Sequence, residues 1–275
     1  MSKKGLFILL IPLLLTSCSN SHIVSDNTFG VFLGMDSTGV NKLLDYQNVA
    51  IEIEEFNKSD IDKLKESNIN IYAYLSVGSL ENYRPYYDEF KQYTFQEYEN
   101  WEDEKWIDVS ASSWQEKLNE LATSFKNLGA DGLFLDNFDV YYYASEISAE
   151  FGEKNYQGCH QILENLSKTG LKLLINSGTD FLERLEKEND QLINKVDWYA
   201  QECVFSSIKN YQRNIFTRQN KEDREYYQST INMMKKHSDI LLIEYTRNKT
   251  IINDVKSYCK ENNCHYFITD NVELK

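Results

Sequence analysis

Carboxylates gather where the apolar runs of this chain stop. Leu133-Phe134-Leu135 runs into Asp136, with Asp139 just beyond it and Tyr141, Tyr142 and Tyr143 following. Other apolar runs end at Asp36, Glu54, Glu202, Glu244 and Asp270, and one ends at Asn176. One strand-end acid is ordinary. Acids at most of the strand ends form a convergent pocket when the strands lie parallel. Repulsion in such a pocket raises some carboxyl pKa values, so that one acid keeps its proton while another is ionised. A pair of that kind cleaves glycosidic bonds, and tyrosines offer the flat faces on which sugar rings stack. Plainer roles stay open for each residue. Asp136 can cap backbone amides, Asp139 can satisfy its own turn, and Glu202 can pair with an arginine such as Arg213. Glu54 and Glu244 can be structural, Arg84 can pair with Glu81, and Tyr141 to Tyr143 can simply pack over the mouth.

The elements that would position these residues read as an alternation. Apolar strands are expected at 29–34, 49–54, 71–77, 133–135, 171–175, 196–200, 240–243 and 265–269. Between them lie helical patterns at 40–46, 59–67, 153–169, 179–192, 221–237 and 249–261. A further helix opens with a capping box, Ser113-Trp114-Gln115-Glu116, and stops at Gly129. Repeated βα units imply parallel strands with right-handed crossovers. Eight of them in a chain of this length predict an α/β fold, a single-domain (β/α)8 TIM barrel, with its active site at the C-terminal ends of the strands. An open doubly wound sheet is the alternative, but Phe32-Leu33-Gly34-Met35-Asp36 is a poor phosphate-binding turn. Two connections are long, Ser79 to Ser112 and Cys203 to Asn220. The first holds Tyr83, Arg84, Tyr86, Tyr87, Trp101 and Trp106, too many aromatics for a mere linker.

Composition narrows the partners. The chain has 275 residues, 41% of them hydrophobic, and a formal net charge of −14. That charge argues against nucleic acid, which needs clustered Lys and Arg, and suits a neutral or cationic ligand. Lys3 and Lys4 precede an apolar run from Leu6 to Leu15, the pattern of a secretory signal. The run is too short to span a bilayer. It closes on Leu15-Thr16-Ser17-Cys18, which resembles the bacterial lipoprotein box, where the cysteine becomes the lipidated N-terminus. The expected organisation is a signal peptide over 1–17, a lipid-anchored tether over 18–28 and the barrel over 29–275. The protein is then an exported lipoprotein, tied to the membrane through Cys18 and facing outward. Cys159, Cys203, Cys259 and Cys264 can pair or stay free, and sequence does not choose. The four histidines are scattered, so no metal site and no cofactor are expected.

Several motifs together resemble a known family. Tyr74-Leu75-Ser76-Val77-Gly78 followed by Glu81-Asn82-Tyr83-Arg84 is similar to its Y-x-S-V-G-E-x-E-x-Y-R signature, with Ser79 standing where the signature has Glu. Trp106-Ile107-Asp108-Val109 is similar to its W-x-D-V element, and Gly129 to Asp139 to its G-x-D-G-x-x-x-D-N-x-D motif. Asn176-Ser177-Gly178 and Glu202-Cys203-Val204-Phe205 match its N-x-G and E-x-x-F elements. The family is the endo-α-1,4-polygalactosaminidases, glycoside hydrolase family 114, a TIM-barrel group, and the resemblance spans about residues 29 to 270. It implies cleavage of α-1,4-linked galactosamine polymers by a catalytic pair, Asp136 as nucleophile or base and Glu202 as acid/base. It also implies a cleft lined by Tyr74, Glu81, Arg84, Asp139 and Asn176, to which the strand-end reading adds Tyr141 and Glu244. Unacetylated galactosamine is cationic, in keeping with the acidic chain. The competing reading is a barrel that binds polysaccharide without cutting it, an adhesin or exopolysaccharide-assembly component.

Overall fold

The structure, a computed structural model, describes residues 22–99 and 101–275. Eight parallel strands make the barrel: β1 (Phe29–Phe32), β2 (Asn48–Ile51), β3 (Asn70–Ser76), β4 (Gly132–Asp136), β5 (Lys172–Asn176), β6 (Trp198–Glu202), β7 (Asp239–Tyr245) and β8 (His265–Thr269). They are hydrogen-bonded in sequence order from β1 to β8. All eight coincide with the expected strands to within two or three residues. Their near-continuous burial explains why none alternates cleanly between polar and apolar.

The seam between β1 and β8 is closed by side chains and by the chain's own first described residues. Phe32 packs edge-on against Phe267 with centroids 5.3 Å apart. Gly34 donates its N–H to the Leu274 carbonyl at 3.3 Å. Val24–Ser25 forms a short strand antiparallel to β8, Val24 opposite Ile268. The backbone N–H of His22 donates to Asp270 at 2.9 Å. Within the stretch expected as a tether, Val24 and Ser25 thus pair with the β8 edge and satisfy backbone groups that would otherwise be open. Cys18 and the signal sequence lie outside the described residues. No helix among the described residues is long and apolar enough to cross a membrane.

Helices cover the outside. The principal ones are α1 (Lys58–Glu66), α2 (Ser112–Leu128), α3 (Val140–Ile147), α4 (Ala149–Ser167), α5 (Thr179–Glu188), α6 (Lys221–Met234) and α7 (Lys249–Asn262). Local chemistry sets their ends. Asn57 and Asp60 form a reciprocal capping box on α1, and Asn220 caps α6 through the Asp223 amide. The Ser113–Glu116 box of the sequence is not used: α2 begins at Ser112 behind Ala111, with no side-chain cap. Its other end does behave as expected, with Gly129 at φ 116° taking the left-handed turn that closes the helix. The four cysteines from Cys159 on are free thiols.

Both long connections carry β structure. Residues Ser79–Glu81, Thr94–Glu97 and Glu104–Ile107 make a three-stranded antiparallel sheet over the barrel mouth, and Ser206–Asn210 pairs with Ile215–Arg218. The first sheet is knotted to β3 and β4. Asn137, buried and at φ 69°, donates its amide to Ser76 Oγ and Ser79 Oγ, each at 3.0 Å. Its carbonyl accepts from the Tyr98 hydroxyl at 3.1 Å. Gly78 is obligatory there, since a Cβ would come within 1.9 Å of the Asn137 carbonyl oxygen.

Candidate active site

Side chains alternate along a strand, so Phe134 and Asp136 share a face, as do Leu174 and Asn176, Ala200 and Glu202, and Ile243 and Tyr245. Those faces point inward. Phe134, Leu174, Ala200 and Ile243 fill the barrel, all essentially inaccessible, and Asp136, Asn176, Glu202 and Tyr245 stand one step above them at the rim. There they line a cleft of about 690 Å³.

The hydrogen bonds of this floor converge on one amide. Asn176 Nδ2 donates to Asp136 Oδ1 at 3.1 Å and to Glu202 Oε1 at 2.8 Å. Asp136 also accepts from its neighbour's backbone, Asn137 N–H, at 3.0 Å and from the Tyr74 hydroxyl at 3.2 Å. Glu202 accepts from the Tyr245 hydroxyl at 3.0 Å. Burial pushes Asp136 up to about 7, helped by the charge of Glu202, against the pull of its three donors. Burial also raises Glu202. Two acids this close, both pushed upward by burial, titrate as a coupled pair that holds a shared proton to higher pH than ordinary carboxylates do.

Other acids enter from the sides. Glu52, just past β2, and Glu81 grip Arg84 from two directions: Glu52 takes both terminal nitrogens, at 3.2 and 2.6 Å, and Glu81 takes Nε at 3.1 Å and Nη2 at 2.9 Å. With all three nitrogens committed, Arg84 is a brace for two cleft acids and does not itself line the cleft. Glu104, from the mouth sheet, accepts from Ser79 Oγ at 3.0 Å. Burial, then the charges of Glu81 and Asp136, push it up to about 8. Ser79 stands where the resemblance expects Glu, and Glu104 brings a carboxylate to that point from the adjacent strand.

The structure separates the expected site residues. Asp136, Glu202, Tyr74, Glu81, Asp139 and Asn176 all line the cleft. Asp139 has a second task, accepting the Gly178 N–H at 3.2 Å, and burial raises it to about 7. Two others are placed elsewhere. Tyr141 packs on Tyr156 with centroids 5.3 Å apart, its hydroxyl bonded to Arg184, because its position on α3 faces α4 and α5. Glu244 is fully buried beneath the rim, accepting from the N–H groups of Phe205 and Ser206 at 2.7 and 2.8 Å. Asp36 caps a 3₁₀ turn, Glu54 is exposed, and Asp270 pairs with Arg247 at 2.5 Å. Among the acids of the cleft, Glu52, Asp103, Glu104 and Glu273 escaped sequence reading. Glu52 was two residues from the expected strand end. Glu104 belongs to an insertion whose pairing no local pattern announces. Aromatic walls complete the cleft, with Tyr98, Trp101 and Tyr211 among them. No group of His, Cys, Asp and Glu among the described residues has the geometry to hold a metal ion.

A (β/α)8 barrel with buried carboxylates converging on its C-terminal rim is the architecture of a barrel hydrolase. The chain belongs to glycoside-hydrolase family GH114, whose family model matches residues 16–271. Its fold is shared with the glycoside hydrolase domain of PelA from Pseudomonas aeruginosa, at a TM-score of 0.75 and 18% identity over 91% of this chain and 96% of that one. It is also shared with Ega3 of Aspergillus fumigatus, solved in complex with galactosamine, at 0.67 and 17% over 90% and 92%. An α-galactosidase from Thermus thermophilus, TtGalA, superposes at 0.57 with 11% identity, the chain spanning 58% of its length. No curated protein matches in sequence.

Proposed function

We propose that this protein is an exported glycoside hydrolase that cleaves α-1,4-linked galactosamine-containing polysaccharide by double displacement, with Asp136 as nucleophile and Glu202 as acid/base. The observation that carries the reading is the single amide of Asn176 bonded to both acids. The two nearest carboxylate oxygens can be no further apart than those two hydrogen bonds laid end to end. That bounds the nearest oxygens and not the whole carboxyl groups, and it favours the closer, retaining arrangement over the wider one that leaves room for a water. A short gap supports attack by one carboxylate on the anomeric carbon, with a covalent glycosyl-enzyme intermediate. Asp136 takes the nucleophile's role from its place in the G-x-D-G-x-x-x-D-N-x-D motif; burial raises it to about 7, and its three donors stabilise the carboxylate once it has ionised. Glu202, with two, suits the residue that protonates the leaving oxygen and then deprotonates water.

Charge supports the substrate class. Glu52, Glu81, Asp103, Glu104, Asp136, Asp139, Glu202 and Glu273 line the cleft with Lys275. A protonated amino sugar relieves the repulsion among them, whereas an anionic polymer adds to it. The galactosamine bound to the structurally similar Ega3 points the same way. Export and anchoring rest on the Leu15–Cys18 motif. Replacing Cys18 by Ser should abolish labelled fatty-acid incorporation and release the protein from the membrane.

The test is incubation of the purified protein with deacetylated α-1,4-galactosamine polymer, following chain length and the anomer first released by NMR. Shortening with retained α configuration, lost in Asp136→Asn and Glu202→Gln, is expected. A β product overturns double displacement. Full activity in both folded variants overturns the pair. Tight binding with no shortening by the wild type makes the protein a polysaccharide-binding barrel.

A further inference from the structure

Beside the catalytic cleft lies a second cavity of about 430 Å³, lined by Tyr98, Trp106, Asp139, Tyr142, Tyr143, Asp180 and Tyr226. Tyr98 and Asp139 line both spaces, so the second cavity adjoins the first.

Its wall is a column of three rings. Tyr98 stacks on Trp106 with centroids 4.5 Å apart, and Tyr143 stacks on the other face at 4.3 Å, both at 25°. Tyr142 and Tyr226, 45% and 43% exposed, border it. Exposing large rings to water has a cost that packing alone does not explain, whereas flat apolar faces around a hollow suit a sugar ring. Trp106 adds an independent observation. It is 1% exposed, and its indole N–H has no acceptor among the described residues. A buried donor left unpaired is unusual in a native protein. The opening also carries charge of one sign, from Asp139 and from Asp180 in the first turn of α5.

We infer that this second cavity is an outlying subsite that holds a further protonated amino-sugar unit of the polymer, beyond the units spanning Asp136 and Glu202. The inference rests on the galactosamine reading of the cleft. Aromatic faces take the apolar side of the ring, and Asp180 and Asp139 take its ammonium. A long chain lies along both spaces, while a short one occupies the cleft alone. The subsite thus makes the enzyme favour long polymer.

The probes are deacetylated α-1,4-galactosamine trimer and heptamer, titrated calorimetrically into the full chain carrying Asp136→Asn, which prevents turnover. The heptamer is expected to bind about tenfold more tightly than the trimer, corresponding to one aromatic and one charged contact. Adding Tyr226→Ala or Asp180→Asn should bring the heptamer to within about threefold of the trimer, with trimer affinity held. Equal binding of the two lengths overturns the subsite, as does a heptamer advantage that survives both substitutions. If neither length binds, the galactosamine reading itself is overturned, and the subsite with it.

Discussion

Asp136 and Glu202 are joined through one amide group: the two hydrogens of Asn176 Nδ2 reach one carboxylate each, at 3.1 and 2.8 Å. Asn176 is 4% exposed, and its own carbonyl oxygen has no partner among the described residues. The arrangement fixes the two acids relative to each other.

Replacing Asn176 by Ala should lower kcat/KM by about 10²-fold, the usual effect of removing one oriented donor from a reacting carboxylate. The acids lose their spacer and rotate independently. Steady-state kinetics beside a circular dichroism spectrum make the check. Activity within threefold of wild type, in a folded variant, would remove Asn176 from the mechanism.

The buried acids also set a pH dependence of stability. Burial raises Glu104 to about 8, and Asp136 and Glu244 to about 7. A carboxyl raised on folding binds its proton more tightly in the folded state than in the unfolded one. Its favourable contribution is therefore complete below the unfolded value, near 4.5 for Glu, and fades as pH climbs toward the folded value. The melting temperature should fall between pH 5 and pH 8.5. Glu104→Gln cannot ionise, so it should melt roughly 2–4 °C above wild type at pH 8.5 and no higher at pH 5. The opposite order would mean that Glu104 is held ionised.

Catalysis follows a different rule, since it needs one acid charged and one protonated. The pair titrates as a unit, and kcat/KM should trace a bell with its alkaline limb near pH 7, where Asp136 and Glu202 lose the shared proton. Glu202→Gln paired with a substrate whose leaving group needs no proton should retain the acid limb and lose the alkaline one. A flat profile from pH 5 to 9 would contradict the shared proton.

Glu244 should matter to folding. It is fully buried and accepts two backbone N–H groups, those of Phe205 and Ser206. Glu244→Ala leaves both donors unpaired in the interior, at about 1–3 kcal/mol each. Urea denaturation should show a loss of several kcal/mol, with Glu244→Gln recovering part of it. A neutral Ala variant would mean that water replaces the carboxylate there.

Much of this was readable from the sequence for a physical reason. Parallel barrel strands are buried on both sides, so their apolar runs stand out, and the residue that ends each run sits at the rim. Asp136, Asn176 and Glu202 end β4, β5 and β6 in that way. The rule fails where the run and the strand part company. The apolar pattern continues through Ile53, but the backbone has already turned into a 3₁₀ helix behind Glu52, so Glu52 faces the cleft and Glu54 faces water. It fails again where the last residue of a run points away: Glu244 shares a strand with Tyr245, and only Tyr245 has the inward face. Tyr141 was invisible for a third reason, since its neighbours on α4 and α5 are set by helix packing. Glu104, Tyr98 and Trp106 come from an antiparallel insertion, whose register depends on its contacts with β3 and β4, and Tyr143 completes their aromatic column from α3.

The strand Val24–Ser25 runs antiparallel to β8, so the chain enters the barrel from above and descends to the bottom before β1 begins. His22 meets Asp270 at the end of β8, on the same rim as the cleft. His22 therefore sits on the catalytic side of the molecule. On the proposed anchoring through Cys18, three residues separate the anchor from His22, roughly 14 Å at full stretch. Such a short leash would turn the cleft toward the membrane and confine its working zone to a thin shell above the bilayer, where polymer emerging from the cell would be met first.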